Sequence, residues 1–198
     1  MAILPDYMPI KVFEQYAERY DQWFVDHPDV YLGELKRVKI AIGTVPTPVL
    51  EIGVGSGRFA GPLSIKHGVE PSLPLGLMAK KRGIEIIQGI GESIPVKSRT
   101  FRTVVMITVL CFLEGPDETF REVHRVLMHD GTLVVAFIEK GGTIAQTYLT
   151  RPDKGTFLSH ARFYTQEEVV SMIKRNGFVL KSADCRMGFC ILVFHKDE

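Results

Sequence analysis

The sequence predicts a single α/β domain, residues 1–198, in which helices cover a mostly parallel seven-stranded sheet. Short apolar runs rich in β-branched residues alternate with segments of helical spacing, and this alternation is typical of a parallel sheet with covering helices. The last two apolar runs are joined only by residues 186–188, a link too short for a parallel crossover, so they predict an antiparallel hairpin. With 45% hydrophobic residues, a chain of this length can bury a core of its own.

Residues 11–42 are predicted to form a cap of two amphipathic helices, and the core that follows occupies residues 43–198. Within the cap, Phe13, Tyr16 and Tyr20 recur at helical spacing and give one apolar face. The same spacing predicts two helices between strands, at 75–82 and 117–128.

Seven runs are predicted as strands. Four of them are continuous apolar stretches, as expected for strands that are buried on both faces. Of the other three, one is a short strand that reaches Val69, and the last two form the hairpin. In chain order the runs are 49–52, 64–70, 84–87, 103–108, 132–138, 178–185 and 189–194.

Charge and composition narrow the classes of function. The 24 basic and 23 acidic residues are interspersed, so their net charge of +1 creates no long-range field for nucleic acid or an anionic membrane. No apolar run approaches the roughly 20 residues of a membrane-spanning helix, and residues 1–12 do not read as a signal peptide. We therefore expect a cytoplasmic monomer or homodimer with a small-molecule partner and with neither a nucleic-acid nor a membrane partner.

The three cysteines, Cys111, Cys185 and Cys190, are an odd number and contain no C-x-x-C pair. This pattern fits a reducing compartment and argues against a zinc site. We therefore expect three buried, unpaired thiols and no metal.

The most informative segment is a turn after the first strand, Glu51-Ile52-Gly53-Val54-Gly55-Ser56-Gly57, which we call the glycine turn. Its alternating glycines allow a tight turn with a ligand against the main chain and the start of a helix aimed at it. The carboxylate of Glu51, closing a buried strand, would oppose the phosphates of a dinucleotide but suits a cationic ligand. A G-x-G-x-x-A pattern that begins at Gly55 and ends at Ala60 keeps an NAD(P)-dependent oxidoreductase as an alternative.

With this turn the chain resembles the class I S-adenosylmethionine-dependent methyltransferases, whose first motif is [DE]-x-G-x-G-x-G after the first strand. Four further segments are similar to landmarks of that family in the same order: 68–72 (G-V-E-P-S), 89–95 (G-I-G-E-S-I-P), 104–113 and 122–131. The resemblance implies a Rossmann-like, doubly wound fold. It also implies S-adenosylmethionine as cofactor and in-line transfer of its methyl group to a small-molecule acceptor. A non-catalytic S-adenosylmethionine-binding module is a second alternative.

The resemblance also implies which residues bind the cofactor. Glu70 would accept hydrogen bonds from both ribose hydroxyls. Ile90 stands where the family often has an aspartate for the adenine amino group, which leaves adenine to the backbone of Ile90 and Gly91 and to apolar packing. Thr108 and Val109 would lie near the transferred methyl group. The full expected set is Tyr20, Glu51, Gly53, Gly55, Gly57, Glu70, Pro71, Ile90, Gly91, Glu92, Thr108 and Val109.

Residues 16–24 (Y-A-E-R-Y-D-Q-W-F) look like the helix that closes over the cofactor in many small-molecule members of the family. Tyr20 in this helix would face the sulfonium through a cation–π contact. Simple packing of its aromatic side chains on the core is the other interpretation of this helix.

Methyl transfer from a sulfonium depends mainly on alignment, so we expect no fixed catalytic triad. If the acceptor needs a general base, His160 is the weak candidate, because it follows the fifth strand, where the family's acceptor pocket lies. The neighbouring Arg151, Lys154, Arg162, Tyr148 and Tyr164 could hold an anionic or aromatic acceptor, or belong to a solvated loop. The nucleophilic atom of the acceptor is left open.

Overall fold

A computed structural model describes residues 8–43, 45–150 and 155–197. Seven strands form one sheet; they are β1 (Val49–Ile52), β2 (His67–Glu70), β3 (Glu85–Gln88), β4 (Phe101–Ile107), β5 (Leu127–Ile138), β6 (Phe178–Arg186) and β7 (Phe189–Lys196). Their order is β3-β2-β1-β4-β5-β7-β6, and β7 runs in the direction opposite to the other six strands. The predicted fold class is confirmed.

Three helices, rather than the predicted two, precede the sheet: α1 (Met8–Gln15), α2 (Ala17–Asp26) and α3 (Pro28–Ile42). Pro28 occupies the first turn of α3, where its missing N–H does no harm, although it cannot continue the helix before it. The helices that follow are α4 (Leu73–Lys81), α5 (Pro116–Val126), α6 (Thr143–Thr150) and α7 (Gln166–Lys174). The predicted helix 117–128 ends early because β5 already begins at Leu127, which pairs with Phe101 of β4.

The connection between β1 and β2 differs from the expectation of a short helix after the glycine turn. Residues 55–64 form a series of turns, with only isolated helix-type bonds such as Gly61 N–H to the Gly57 carbonyl at 3.0 Å. Ser64 closes the series in a left-handed conformation, φ 59°. This segment therefore does not direct the N-terminus of a helix towards the carboxyl ends of the strands.

Two apolar clusters cover the two faces of the sheet. On one face, Phe120, Val123 and Val126 of α5 are fully buried, as their spacing predicts. On the other face, Phe24 of α2 and Val38 of α3 join the cluster, so the cap packs on the sheet. No helix in the described part of the chain is long and apolar enough to cross a membrane.

The hairpin of β6 and β7 is confirmed, but the prediction of three unpaired thiols is wrong. The turn consists of two residues, Met187 and Gly188, both with positive φ, instead of three. The resulting register places Cys185 opposite Cys190, and a disulfide joins them. Cys185 is exposed, whereas Cys111 is free and buried as expected.

Candidate functional site

A cavity of about 400 Å³ lies at the carboxyl ends of β1, β2, β3 and β4. The strand order reverses between β1 and β4, and such a reversal is where open α/β sheets place their ligands. Its walls come from four strand ends and from side chains of α1 and α2. Most of the predicted cofactor residues line this cavity: Tyr20, Gly53, Glu70, Pro71, Ile90, Gly91, Glu92, Thr108 and Val109. Glu51, Gly55 and Gly57 are not part of its lining.

The three glycines of the glycine turn all have positive φ, between 56° and 83°. A Cβ at Gly53 would lie 2.3 Å from a methyl of Val109, and one at Gly57 would lie 2.4 Å from Ile84. A Cβ at Gly55 would lie 3.2 Å from the ring of Tyr20. The glycines therefore allow close contact between the turn and protein side chains, one of which, Tyr20, forms part of the cavity wall.

Glu51 is a buried carboxyl group of the site that the protein leaves partly unsatisfied. Its side chain is 2% exposed, and its Oε2 has no hydrogen-bond partner among the described residues. Burial, reinforced by the charge of Glu70, raises the pKa of Glu51 well above its usual value. A buried acceptor without a partner is costly unless a donor or cation reaches it, so this position is suited to a cationic ligand group.

Glu70, at the end of β2, lines the cavity and is only 5% exposed. Its Oε2 accepts the Gly55 N–H at 2.8 Å and its Oε1 accepts the Ser72 N–H at 2.9 Å. Burial raises the pKa of Glu70 to about 7, although these two hydrogen bonds act in the opposite direction. Each carboxylate oxygen keeps a second lone pair for a ligand donor.

The loop after β3 supplies an apolar wall at Ile90 and Gly91. A Cβ at Gly91 would lie 2.9 Å from Thr119 of α5, so the loop packs tightly against that helix. Glu92 uses its Oε1 to accept N–H groups of Glu114 and Gly115, at 3.0 and 3.1 Å. It therefore fixes the loop after β4 in place.

Four rings form an aromatic cluster beside the cavity: Phe13, Tyr20, Phe112 and Phe157. Phe13 lies 5.0 Å from Phe112, 5.1 Å from Phe157 and 5.3 Å from Tyr20 between ring centroids. Burial, with the charges of Glu70 and Glu51 next in order, raises the pKa of Tyr20, which keeps its hydroxyl protonated. Sequence reasoning missed Phe112 and Phe157, because they come from separate loops without periodic patterns.

A charged network ties α2 to the glycine turn, and sequence reasoning missed it as well. Arg58 donates to both carboxylate oxygens of Asp21, at 2.8 and 2.6 Å, and Arg82 donates to Oδ2 at 2.9 Å. Although burial acts to raise it, the hydrogen bonds of these arginines bring the pKa of Asp21 down to about 2. Arg58 is the residue that breaks the G-x-G-x-x-G pattern, so its presence there was a usable signal.

The residues predicted for the acceptor lie apart from the cavity wall where the structure describes them. His160 ends a short 3-10 turn, Leu158–His160, and neither it nor Arg162, Tyr148 or Tyr164 lines the cavity. The Arg162 N–H bonds the Cys111 carbonyl at 2.8 Å, so its backbone supports the loop after β4. Arg151 and Lys154 lie outside the described residues.

Comparison with known proteins agrees with this geometry. Residues 50–135 match a family model described as a methyltransferase domain. A crystal structure of a SAM-dependent methyltransferase from Thermotoga maritima, described as a possible histamine N-methyltransferase, is 30% identical with a TM-score of 0.87. The alignment covers 94% of this chain and 99% of that one. The chain belongs to the S-adenosylmethionine-dependent methyltransferases. The cofactor of this methyltransferase is S-adenosylmethionine.

Curated relatives of the methyltransferase extend over most of its length. An uncharacterized protein of Methanocaldococcus jannaschii is 37% identical over 85% of this chain and 82% of the relative. Mycobacterial relatives are 35% identical and longer, and the chain spans 61% of their length. A more distant relative, the 18S rRNA (guanine(1575)-N(7))-methyltransferase of Saccharomyces cerevisiae, is 28% identical over 54% of this chain and 42% of the relative.

Proposed function

We propose that this methyltransferase transfers the methyl group of S-adenosylmethionine to a small-molecule acceptor. The observation that carries the proposal is the cavity at the strand ends, whose walls include side chains of α1 and α2 and rings of the aromatic cluster. Its volume of about 400 Å³ is in the range of pockets that enclose small ligands. The description of the Thermotoga relative as a possible histamine N-methyltransferase supports a small-molecule acceptor.

The carboxylates fit the polar groups of the cofactor. The free lone pairs of Glu70 suit the two ribose hydroxyls, since each oxygen already has one backbone donor. The unpartnered Oε2 of Glu51 suits the ammonium group of the methionine part, although Glu51 itself lies outside the cavity lining. Ile90 and Gly91 would meet adenine with backbone groups, and Pro71 with an apolar surface.

The role of the chain in the reaction is alignment. When bound, S-adenosylmethionine supplies an electrophilic methyl group on a sulfonium that leaves as a neutral thioether. Thr108 and Val109 after β4, with Tyr20 and Phe112, line the cavity and would shape the space beside that methyl and keep water from it. Good orientation alone is worth an effective concentration on the order of 10⁵ M. His160 as a general base stays a prediction, as do a cytoplasmic location and a monomeric or homodimeric state.

A binding experiment tests the proposal through Glu70. Isothermal titration should show that Glu70→Ala weakens the binding free energy of S-adenosylhomocysteine by roughly 1.5–3 kcal/mol, because a charged hydrogen-bond acceptor is removed. The matched control is Glu85→Ala, since Glu85 is 80% exposed at the sheet edge and remote from the cavity. A loss below about 0.5 kcal/mol would assign Glu70 a purely structural role. NAD, the cofactor of the earlier alternative, should not bind.

An RNA acceptor is the second candidate function, and the name of the yeast relative is the observation that favours it. The net charge of +1 argues against it, because phosphate backbones are bound mainly by clustered lysines and arginines. Fluorescence anisotropy with a labelled RNA hairpin at physiological salt should show no binding. Turnover of S-adenosylmethionine with a small acceptor would then separate the enzyme from a non-catalytic binding module.

A further inference from the structure

The charged side chains that line the cavity all have one sign. Among the described residues of its wall they are Glu70, Glu92, Glu114 and Glu118. Carboxylates around a partly enclosed space favour cations and disfavour anions by direct Coulomb interaction. The cavity therefore discriminates by charge before any specific contact is made.

Three of the four carboxylates already have partners in the protein. Glu70 accepts two backbone N–H groups, Glu92 accepts two more, and Glu118 forms an ion pair with Arg121 at 2.5 Å. Glu114 makes no side-chain hydrogen bond or ion pair with any described residue, and it is exposed on the cavity wall. It is therefore the carboxylate that is free to meet an incoming molecule.

Rings of the aromatic cluster line the same cavity as this carboxylate, and one of them, Phe112, is two residues from Glu114 in the chain. Phe112 contacts Phe13, which stacks on Phe157. Aromatic faces next to a carboxylate are the combination that recognises an ammonium group, through cation–π attraction and an ion pair.

Resting on the proposed function, we infer that the acceptor is a small amine with an apolar or aromatic body, held by Glu114 and the aromatic cluster. The amine arrives protonated and gives its proton to solvent at the exposed mouth of the cavity. Its nitrogen lone pair then forms the N–C bond to the methyl group while the C–S bond breaks and its electron pair stays on sulfur. The products are the methylated ammonium ion and S-adenosylhomocysteine.

The test is a titration of the protein saturated with S-adenosylhomocysteine at pH 7.5. The probes are 2-phenylethylamine, 2-phenylethanol and 3-phenylpropanoate, which share a ring and differ in charge. The amine should bind about tenfold more tightly than the alcohol, and the carboxylate should bind most weakly. Equal or tighter binding of the alcohol or the carboxylate, or no binding of the amine, would overturn the inference. Because S-adenosylhomocysteine binding is measured first, its failure would instead overturn the proposed function.

Two variants locate the amine site. Glu114→Gln should weaken binding of the amine about threefold and leave binding of the alcohol unchanged, because only the charge is removed. Phe112→Leu should weaken binding of the amine by about two- to fivefold relative to binding of the alcohol. Glu85→Gln is the matched control, since it removes one carboxylate charge remote from the cavity. It should change the affinity for neither ligand. An unchanged ratio of amine to alcohol affinity in Glu114→Gln and Phe112→Leu would contradict the assignment.

Discussion

At the scale of single residues, the site depends on two buried carboxylates that the protein only partly satisfies. Glu70 has backbone donors on both oxygens, whereas the Oε2 of Glu51 has no partner among the described residues. Both side chains are almost fully buried, so their ionised forms are costly in the ligand-free protein. A ligand with donors and a positive charge relieves this cost, which couples binding to the ionisation of the site.

The stability of the ligand-free protein should therefore depend on pH. Burial raises the pKa of Glu70 from 4.5 to about 7, so folding favours its protonated form. The stability that protonation of Glu70 contributes to the folded state is complete below pH 4.5 and is lost as the pH rises through 7. The free energy of unfolding should fall by up to about 3 kcal/mol between pH 5 and 8. Urea unfolding of Glu70→Gln should show a shallower fall, and an identical slope in both proteins would contradict the assigned environment.

The glycine turn gives a second residue-scale prediction with a matched control. Gly55 and Gly83 both have positive φ, 56° and 83°, but only a Cβ at Gly55 meets the Tyr20 ring, while one at Gly83 has nothing within 4 Å. Gly55→Ala and Gly83→Ala should each lower the free energy of unfolding by about 1 kcal/mol, because alanine is strained at a positive φ. Only Gly55→Ala should also lower S-adenosylhomocysteine affinity, by about tenfold, because Tyr20 must shift. Equal affinities by calorimetry would place the turn outside the binding site.

At the scale of elements, the placement of α2 over the cavity depends on its link to the glycine turn. Asp21 of α2 joins Arg58 and Arg82, and Tyr31 of α3 donates its hydroxyl to the Arg58 carbonyl at 2.5 Å. The Arg58 and Asp21 side chains are 22% and 18% exposed, so the pair is screened less than a surface ion pair. These contacts thus fix the cap helices to the glycine turn.

Removing the link should affect stability and binding together. Arg58→Ala should cost about 2–3 kcal/mol in urea unfolding, because it leaves the half-buried Asp21 with reduced compensation. Arg175→Ala removes a comparable pair with Asp117 whose side chains are 51% and 40% exposed, and it should cost less than about 1 kcal/mol. Arg58→Ala should also lower S-adenosylhomocysteine affinity through Tyr20, whereas Arg175→Ala should not. Equal losses of stability in the two variants would show that the Asp21 link is an ordinary surface pair.

At the scale of the whole molecule, sequence reasoning succeeded where the information is local. The glycine turn and Glu70 follow directly from strand ends, so the position of the site at the carboxyl edge was predictable. The Cys185–Cys190 disulfide was not, because a difference of one residue in turn length decides which side chains face each other across the hairpin. The aromatic cluster was not predictable either, since Phe13, Phe112 and Phe157 are far apart in the chain and meet only after folding.

The most direct measurement is a crystal structure of the protein with S-adenosylhomocysteine. We predict both ribose hydroxyls within hydrogen-bond distance of Glu70, adenine against Ile90 and Gly91, and the sulfur atom facing the aromatic cluster. A nucleoside bound elsewhere, or a Glu70 carboxylate that keeps only its Gly55 and Ser72 partners, would contradict it.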